Sequence, residues 1–188
     1  MKTMKQFMIL VALLLFSSIS FAQKSKSKLT IEPIYGVETR LVRYPAPPRY
    51  VTGATYGARL LFGSNIIAAE GEYTTAKSRE DYPLADQKVE DTVERASLGI
   101  RSTLPMSKFF GIFLRAGARA SQGESVVTTS GVSETKPNPL TVDPYAGAGI
   151  QVAIHSNFAL NAGATLIRNA EDKYDTQYTL GLSAKIGK

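Results

Sequence analysis

Apolar and polar residues alternate along most of the chain from Leu29 onward, in eight stretches separated by turn-forming residues. In the fifth stretch Phe110, Ile112, Leu114, Ala116, Ala118 and Ala120 fall on one side, and Gly111, Arg115, Gly117, Arg119 and Ser121 on the other. The eighth sets Tyr178, Leu180, Leu182, Ala184 and Ile186 against Gln177, Thr179, Gly181, Ser183 and Lys185. A period of two gives a strand one apolar face, whereas in a helix residues two apart point nearly opposite ways. The pattern predicts strands over 29–42, 51–62, 66–76, 89–104, 109–122, 144–154, 158–168 and 174–186. With no helical intervals between them, these strands meander into a closed barrel or a sandwich.

The joints between the strands alternate in length. Gly63 to Asn65, Leu104 to Lys108 and His155 to Asn157 are minimal, while Arg43 to Tyr50, Lys77 to Lys88, Ser121 to Asp143 and Asn169 to Lys173 are longer and polar. An up-and-down sheet places alternate joints at opposite ends. Short turns on one side and long loops on the other are the arrangement of an outer-membrane barrel, with the periplasm below and the outside above. Ser121 to Asp143, rich in Ser, Thr and Gly and broken by Pro137-Asn138-Pro139, is expected to be a loop beyond the sheet.

Alternation does not say which face is inside, and a lipocalin-like barrel would turn its apolar residues inward. Composition separates the two. The apolar face is rich in alanine, at Ala54, Ala58, Ala69, Ala116, Ala118, Ala146, Ala148, Ala162 and Ala164. Such small side chains fill a closed interior poorly, and unfilled core volume costs roughly 24 cal/mol per Å³. Fluid lipid chains fill around them. The opposite face combines charged groups with glycines, which suit the narrow lumen of an eight-stranded barrel. The aromatics agree: Phe62, Phe110 and Phe158 sit beside the short turns, and Tyr56, Tyr73, Tyr174 and Tyr178 lie toward the long loops, as two interfacial girdles. From Ile186 to Tyr178 the rise is roughly 21 Å at a strand tilt near 40°, against an apolar band of about 25 Å.

From Leu29 onward the chain resembles the small outer-membrane barrels of the OmpA/OmpX type. The resemblance implies an all-β fold, an eight-stranded antiparallel up-and-down transmembrane β-barrel over residues 29–188. The last strand is similar to the assembly signal of that family, with Thr179, Gly181, Ala184 and Ile186 as its polar, glycine and spaced apolar positions. It implies the barrel assembly machinery as a partner during biogenesis, outer-membrane lipid and lipopolysaccharide as surroundings, and a monomer. The chain departs from the family in ending Ile186-Gly187-Lys188 instead of on an aromatic residue, and no peptidoglycan-binding domain follows the eighth strand.

The first residues read as an export signal. Lys2 and Lys5 precede the nine apolar residues Met8 to Phe16, and Ser20-Phe21-Ala22 is a small-x-small cleavage site. Residues 1–22 are expected to be removed, leaving a short basic tail over 23–28 and a chain of 166 residues that suits one domain. Loss of Lys2 and Lys5 lowers the formal charge from +6 to +4. The basic residues are dispersed instead of forming one run, which excludes a nucleic-acid interface on this pattern. There is no cysteine, hence no disulfide, thiolate metal site or lipidated cysteine.

Candidate chemistry lies on the inward parity: Glu32, Glu38, Arg40, Arg59, Glu70, Glu72, Arg95, Arg101, Arg115, Arg119, Asp175 and Lys185. Charges of both signs in a narrow, low-dielectric lumen are expected to pair, with Glu70 and Glu72 near Arg95 and Lys185 near Glu32. A paired network plugs the barrel. The alternative is a small ion pore, with the arginines of strands four and five forming a basic wall. A third reading, a lipid-modifying enzyme, rests on His155-Ser156-Asn157 alone and is weakened because those residues fall in a periplasmic turn. No catalytic, cofactor-binding or metal-binding residues are assigned. The expected role is envelope structure or surface interaction, with the outer loops presenting Arg79-Glu80-Asp81-Tyr82 and Glu171-Asp172-Lys173-Tyr174 to an extracellular ligand.

Overall fold

The computed structural model describes residues 28–45, 47–83, 86–169 and 173–186. The export signal, the tail over 23–27, Glu171, Asp172 and the terminal Gly187-Lys188 lie outside the described residues. Eight strands follow in order: β1 (Lys28–Val42), β2 (Arg49–Gly63), β3 (Ile67–Tyr82), β4 (Gln87–Pro105), β5 (Phe110–Thr129), β6 (Val132–His155), β7 (Phe158–Arg168) and β8 (Tyr174–Ile186). Each pairs antiparallel with the next, and β8 returns to β1 to close the barrel. Closure leaves the spanning part of the sheet without an edge, so its backbone groups are satisfied within the bilayer.

Burial runs opposite to that of a soluble protein. Among the described residues 21 polar or charged side chains are buried against 11 hydrophobic ones. Leu60, Leu98, Leu114, Ile150, Leu166 and Leu180 are exposed on the outer surface. The alternation therefore turns its apolar face to lipid and its charged face into the lumen.

The outer ends of the strands differ from the sequence expectation. Ser121 to Asp143 is not a loop: β5 and β6 continue as a hairpin to a two-residue turn at Ser130-Gly131. Ser130 and Gly131 have φ of 49° and 80°, the left-handed pair that a tight hairpin turn requires and that glycine adopts at little cost. The prolines are tolerated for reasons the sequence does not reveal. Between Ser121 and Gly123 the register shifts, and Pro139 is absorbed with Leu140 in the resulting bulge. Pro137 lies on the part of β6 that has no β7 partner, where a missing N–H removes no ladder bond on that side. β3 and β4 also run past the expected loop, pairing up to Tyr82 and Gln87.

The barrel consequently has an uneven outer rim. β3 to β6 rise together as a sheet, because β4 pairs with β5 as far as Gln87 and Thr129. β7 and β8 stop at Arg168 and Tyr174, opposite the start of β6's spanning part. Thirteen residues of β6, Val132 to Pro144, lie beyond the last β7 partner. That is about 40 Å of strand at roughly 3.4 Å per residue.

Candidate functional site

The lumen is filled across its middle by charged side chains that adjacent strands bring into register. Glu32 of β1 lies opposite Arg59 of β2, which lies opposite Glu72 of β3. Arg59 donates from Nη1 to Glu32 Oε1 at 2.5 Å, and from Nη2 and Nε to Glu72 Oε2 at 2.7 and 2.9 Å. Arg101 and Arg115 face each other across β4 and β5, an arrangement that costs energy unless each finds its own carboxylate. They diverge. Arg101 Nη1 meets Glu32 Oε2 at 2.9 Å, and Arg115 Nη2 meets Glu70 Oε1 and Glu72 Oε2 at 2.7 and 2.8 Å.

Other contacts cross the lumen. Arg119 of β5 reaches Glu72 Oε1 at 3.1 Å and Gln177 Oε1 of β8 at 2.6 Å, while its Nε donates to Ser97 at 3.1 Å. Arg95 of β4 pairs with Glu38 of β1. Glu72 thus accepts from Arg59, Arg115 and Arg119 at once. Charge-assisted bonds of this kind offset the cost of taking the ions out of water.

Neutral residues complete the packing, and sequence inspection missed them. Asn161 bridges Arg101 and Glu32, with its two bonds both 3.0 Å long. Tyr145 donates its hydroxyl to Glu70 at 3.3 Å and places its ring under Arg115 and Arg119, at 4.9 and 5.7 Å. Phe113 lies 3.7 Å beneath the Arg101 guanidinium. Phe113 and Tyr145 are apolar or aromatic residues at inward positions, so parity was the available signal. Their size gave no hint of a charged neighbour. Gly181 has a local reason: a Cβ there would meet Cγ and Oε1 of Glu32, both at 2.8 Å.

Three inward positions behave differently from the expected network. Arg40 donates to the Ser78 hydroxyl at 3.1 Å, and Asp175 accepts from the Leu41 backbone N–H at 2.9 Å. Lys185 lies opposite Thr30 and does not pair with Glu32, whose oxygens are taken by Arg59, Arg101 and Asn161. Likewise Arg95 turns to Glu38 and leaves Glu70 and Glu72 to strands two and five.

A cavity lies on each side of this layer. The outer one, about 530 Å³, has Glu38, Arg95 and Arg119 in its floor and Arg40, Asp91, Lys136 and Asp175 in its walls. Lys136 also stacks its ammonium on the Tyr44 ring, 4.4 Å from the centroid, joining the raised sheet to the β1–β2 loop. The inner cavity, about 300 Å³, reaches Arg101 from the periplasmic mouth. Glu32, Arg59, Glu70, Glu72 and Arg115 line neither cavity and are 4% exposed or less.

The outer surface carries the remaining candidates. Phe62, Phe110 and Phe158 are exposed beside the short joints. Tyr174 and Tyr178 are exposed toward the other rim, whereas Tyr56 lies midway along β2 and Tyr73 nearer the short-turn end of β3, so the expected tyrosine girdle is not level; Tyr56 stands opposite Tyr35, which is also exposed. In β8, Thr179 is buried toward the lumen, Gly181 and Ala184 are half-buried and Ile186 is exposed. His155 and Ser156 lie at the β6–β7 turn, with Ser156 Oγ 3.2 Å from His155 Nδ1, exposed and outside both cavities. Among the described residues no carboxylate bonds that histidine, and no group of His, Asp and Glu is arranged to hold a metal ion.

The closed ring of eight tilted strands, with its lipid-facing apolar surface and ionic interior, is that of a small outer-membrane barrel. The sequence matches the family model for the outer membrane protein beta-barrel domain over residues 8–185, and the chain belongs to that family. Ail, the attachment invasion locus protein of Yersinia pestis, shares 16% identity over 85% of this chain and 97% of its own, with a TM-score of 0.51. Neisserial surface protein A superposes with a TM-score of 0.54 at 14% identity, covering 86% of this chain and 98% of the other. The N-terminal β-barrel domain of Pseudomonas aeruginosa OprF gives 0.54 at 13% identity, over 86% and 100%. No curated protein sequence matches the chain. At these identities the likeness is one of fold.

Proposed function

We propose that this outer-membrane protein is a non-conducting anchor that presents a raised sheet at the cell surface, and that its role is envelope structure or surface interaction. The observation that carries the reading is the middle layer of the lumen. Glu32, Arg59, Glu70, Glu72 and Arg115 are buried, mutually bonded and absent from the walls of both cavities. Moving an ion past them requires breaking charge-assisted bonds in a low-dielectric interior. The test is single-channel recording on the refolded protein lacking residues 1–22, which is expected to stay silent. Reproducible conductance whose size or selectivity changes with Arg115→Gln or Arg119→Gln would establish the small pore instead.

The surface role rests on the raised sheet. Val132, Leu140 and Val142 are 74%, 64% and 67% exposed along a strand with an open side. A peptide added to such an edge gains main-chain hydrogen bonds. Pro137 and Pro139 confine that pairing to Val132–Lys136 and Leu140–Asp143 and oppose indiscriminate association. A strain whose protein lacks Glu124 to Asn138 should insert normally yet lose adhesion to immobilised host-matrix protein. Unchanged adhesion, with the barrel intact, would remove the surface role.

The exposed His155-Ser156 pair lies on the turn side, away from the raised sheet and outside either cavity, so the protein is read as a non-enzyme. Altered lipid A acylation in a deletion strain, not restored by a His155→Ala gene, would reverse this. Export with removal of residues 1–22 is part of the same proposal, checked by N-terminal sequencing of the outer-membrane form. Heat-modifiable migration in the outer-membrane fraction checks insertion.

A further inference from the structure

The inner cavity differs from the rest of the lumen in the sign of its charge. Lys28, Arg101, Lys108 and Lys185 line it, and no Asp or Glu does. Arg101 is committed to Glu32 and Asn161. Among the described residues the three lysines have no ion pair. Lys28 and Lys185 come from the adjoining ends of β1 and β8, whose ladder runs through Leu29 opposite Ile186 and Thr30 opposite Lys185. Two ammonium groups held on one wall repel each other, the more so as water between them is excluded. Higher in the barrel Arg59, Arg95, Arg115 and Arg119 each meet a carboxylate. Here the wall holds none.

Neutral donors face the same space. Thr30 and Thr103 hydroxyls and the Gln151 amide line the cavity, are half-buried, and make no side-chain hydrogen bond to another described residue. Ser64 and Ser107, also in the wall, are already used in capping the two short turns. Four cations and three uncommitted neutral donors thus converge on about 300 Å³ open to the periplasm. A halide would satisfy one or two of these groups. A tetrahedral oxyanion of charge near two presents acceptors in several directions and neutralises both lysines together.

We propose that the periplasmic mouth of the barrel is a binding site for a phosphate-class anion, held by Lys28 and Lys185 with Thr30, Thr103 and Gln151 as neutral donors. The same chemistry is available from soluble phosphate or a phosphomonoester in the periplasm and from the headgroup of an inner-leaflet phospholipid. Either source enters from the turn side, below the ion-paired layer, so the site is independent of whether the barrel conducts.

The test uses the refolded protein lacking residues 1–22 in phosphatidylcholine nanodiscs, titrated with inorganic phosphate at constant ionic strength set by chloride. Amide resonances of Lys28, Thr30, Gln151 and Lys185 should move saturably, and those of the raised sheet should not. Lys28→Gln/Lys185→Gln should weaken binding at least tenfold, whereas Lys88→Gln, on the exposed face of the outer rim, should leave it unchanged. A second arm replaces half the lipid with phosphatidylglycerol and adds no phosphate. The same shifts in that arm identify a headgroup as the source, and their absence there identifies the soluble anion. If chloride alone reproduces the shifts, or the double variant that still shows heat-modifiable migration binds phosphate as tightly, there is no such site. Should the double variant fail to insert, displacement of bound phosphate by pyrophosphate in the unmodified protein decides the matter: competition at the same four amides supports the site, and no competition removes it.

Discussion

The middle of the barrel and the sheet raised above it are consecutive lengths of the same strands, yet they are held by different forces. Along β5, Arg115 and Arg119 are fixed by carboxylates inside a ring that has no edge. Six and eight residues beyond Arg119, the same inward row carries Ser125 and Val127. There Ser125 donates to Asp91 Oδ1 at 2.5 Å and accepts from Asn138 at 3.3 Å, while Val89 and its ladder partner Val127 are buried. The contrast follows from solvent. Within the bilayer the outer surface is satisfied by lipid and the polar groups must find one another inside. Above it, water satisfies polar groups on one face and the sheet behaves as a soluble hairpin array with a small apolar inner face.

The largest test of this contrast removes the acid that three arginines share. Glu72→Gln leaves Arg59, Arg115 and Arg119 short of a charge partner, and is expected to cost about 3–5 kcal/mol. Urea unfolding in phospholipid vesicles, followed by the heat-modifiable band, measures it. A loss below about 1 kcal/mol would mean that the lumen is solvated like the raised sheet, at the low end for ion pairs.

Phe113→Ala probes the same layer without touching a charge. It empties the space beneath Arg101 and should cost roughly 3 kcal/mol, by analogy with large-to-small changes in cores. The same unfolding assay applies. A smaller effect than for an outward leucine such as Leu114→Ala would contradict the placement of the ring.

Gly131→Val acts on the raised sheet alone. A β-branched residue at a φ of 80° is strained by about 1–3 kcal/mol. Amide hydrogen exchange should accelerate for Val126 to Glu134 and stay unchanged for Leu114 to Ala118. Coupled acceleration in both would show that the two regions unfold as one.

The smallest effect is expected at the β2–β3 rim. Arg49 pairs with Glu80 and stands 6.0 Å from the Tyr82 ring centroid, tying the outer end of β3 to the β1–β2 hairpin. Arg49→Ala should cost no more than about 1 kcal/mol, because the pair is partly exposed. Its readout is faster exchange at Ser78 to Tyr82. The β6 edge is tied to the β1–β2 loop through Tyr44, which meets Lys136 and Glu134, but its main chain over Val132 to Lys136 pairs with no β7 residue, which is why it is the side proposed to receive a partner.

Much of this architecture is legible in the sequence. β7 and β8 begin and end where the alternation does, at Phe158 and Arg168 and at Tyr174 and Ile186. These strands are bounded by ordinary turn residues, so local pattern and tertiary structure agree. The reading of Ser121 to Asp143 as a loop failed because its cues were local ones. Ser, Thr and Pro mark loops when a strand must pair on both sides, but β6 there pairs only with β5 and passes its prolines through a bulge and along an open side. The continuous inward row from Gly111 to Val127 in β5 was the signal available to extend the strand.

The inward charges divide the same way. Their parity placed the acids and arginines in the lumen, because a period of two is a property of each strand by itself. Glu32, Arg59 and Glu72 are neighbours along a ladder, close to what register alone suggests. Arg95 with Glu38, Arg119 with Gln177 and the isolation of Lys185 depend on how strands far apart in sequence meet across a closed ring. Tilt, stagger and closure set those distances, and they are collective properties of all eight strands. The chain by itself determined which side chains face inward. Only the closed barrel decided which charges neutralise one another and which are left facing the periplasm.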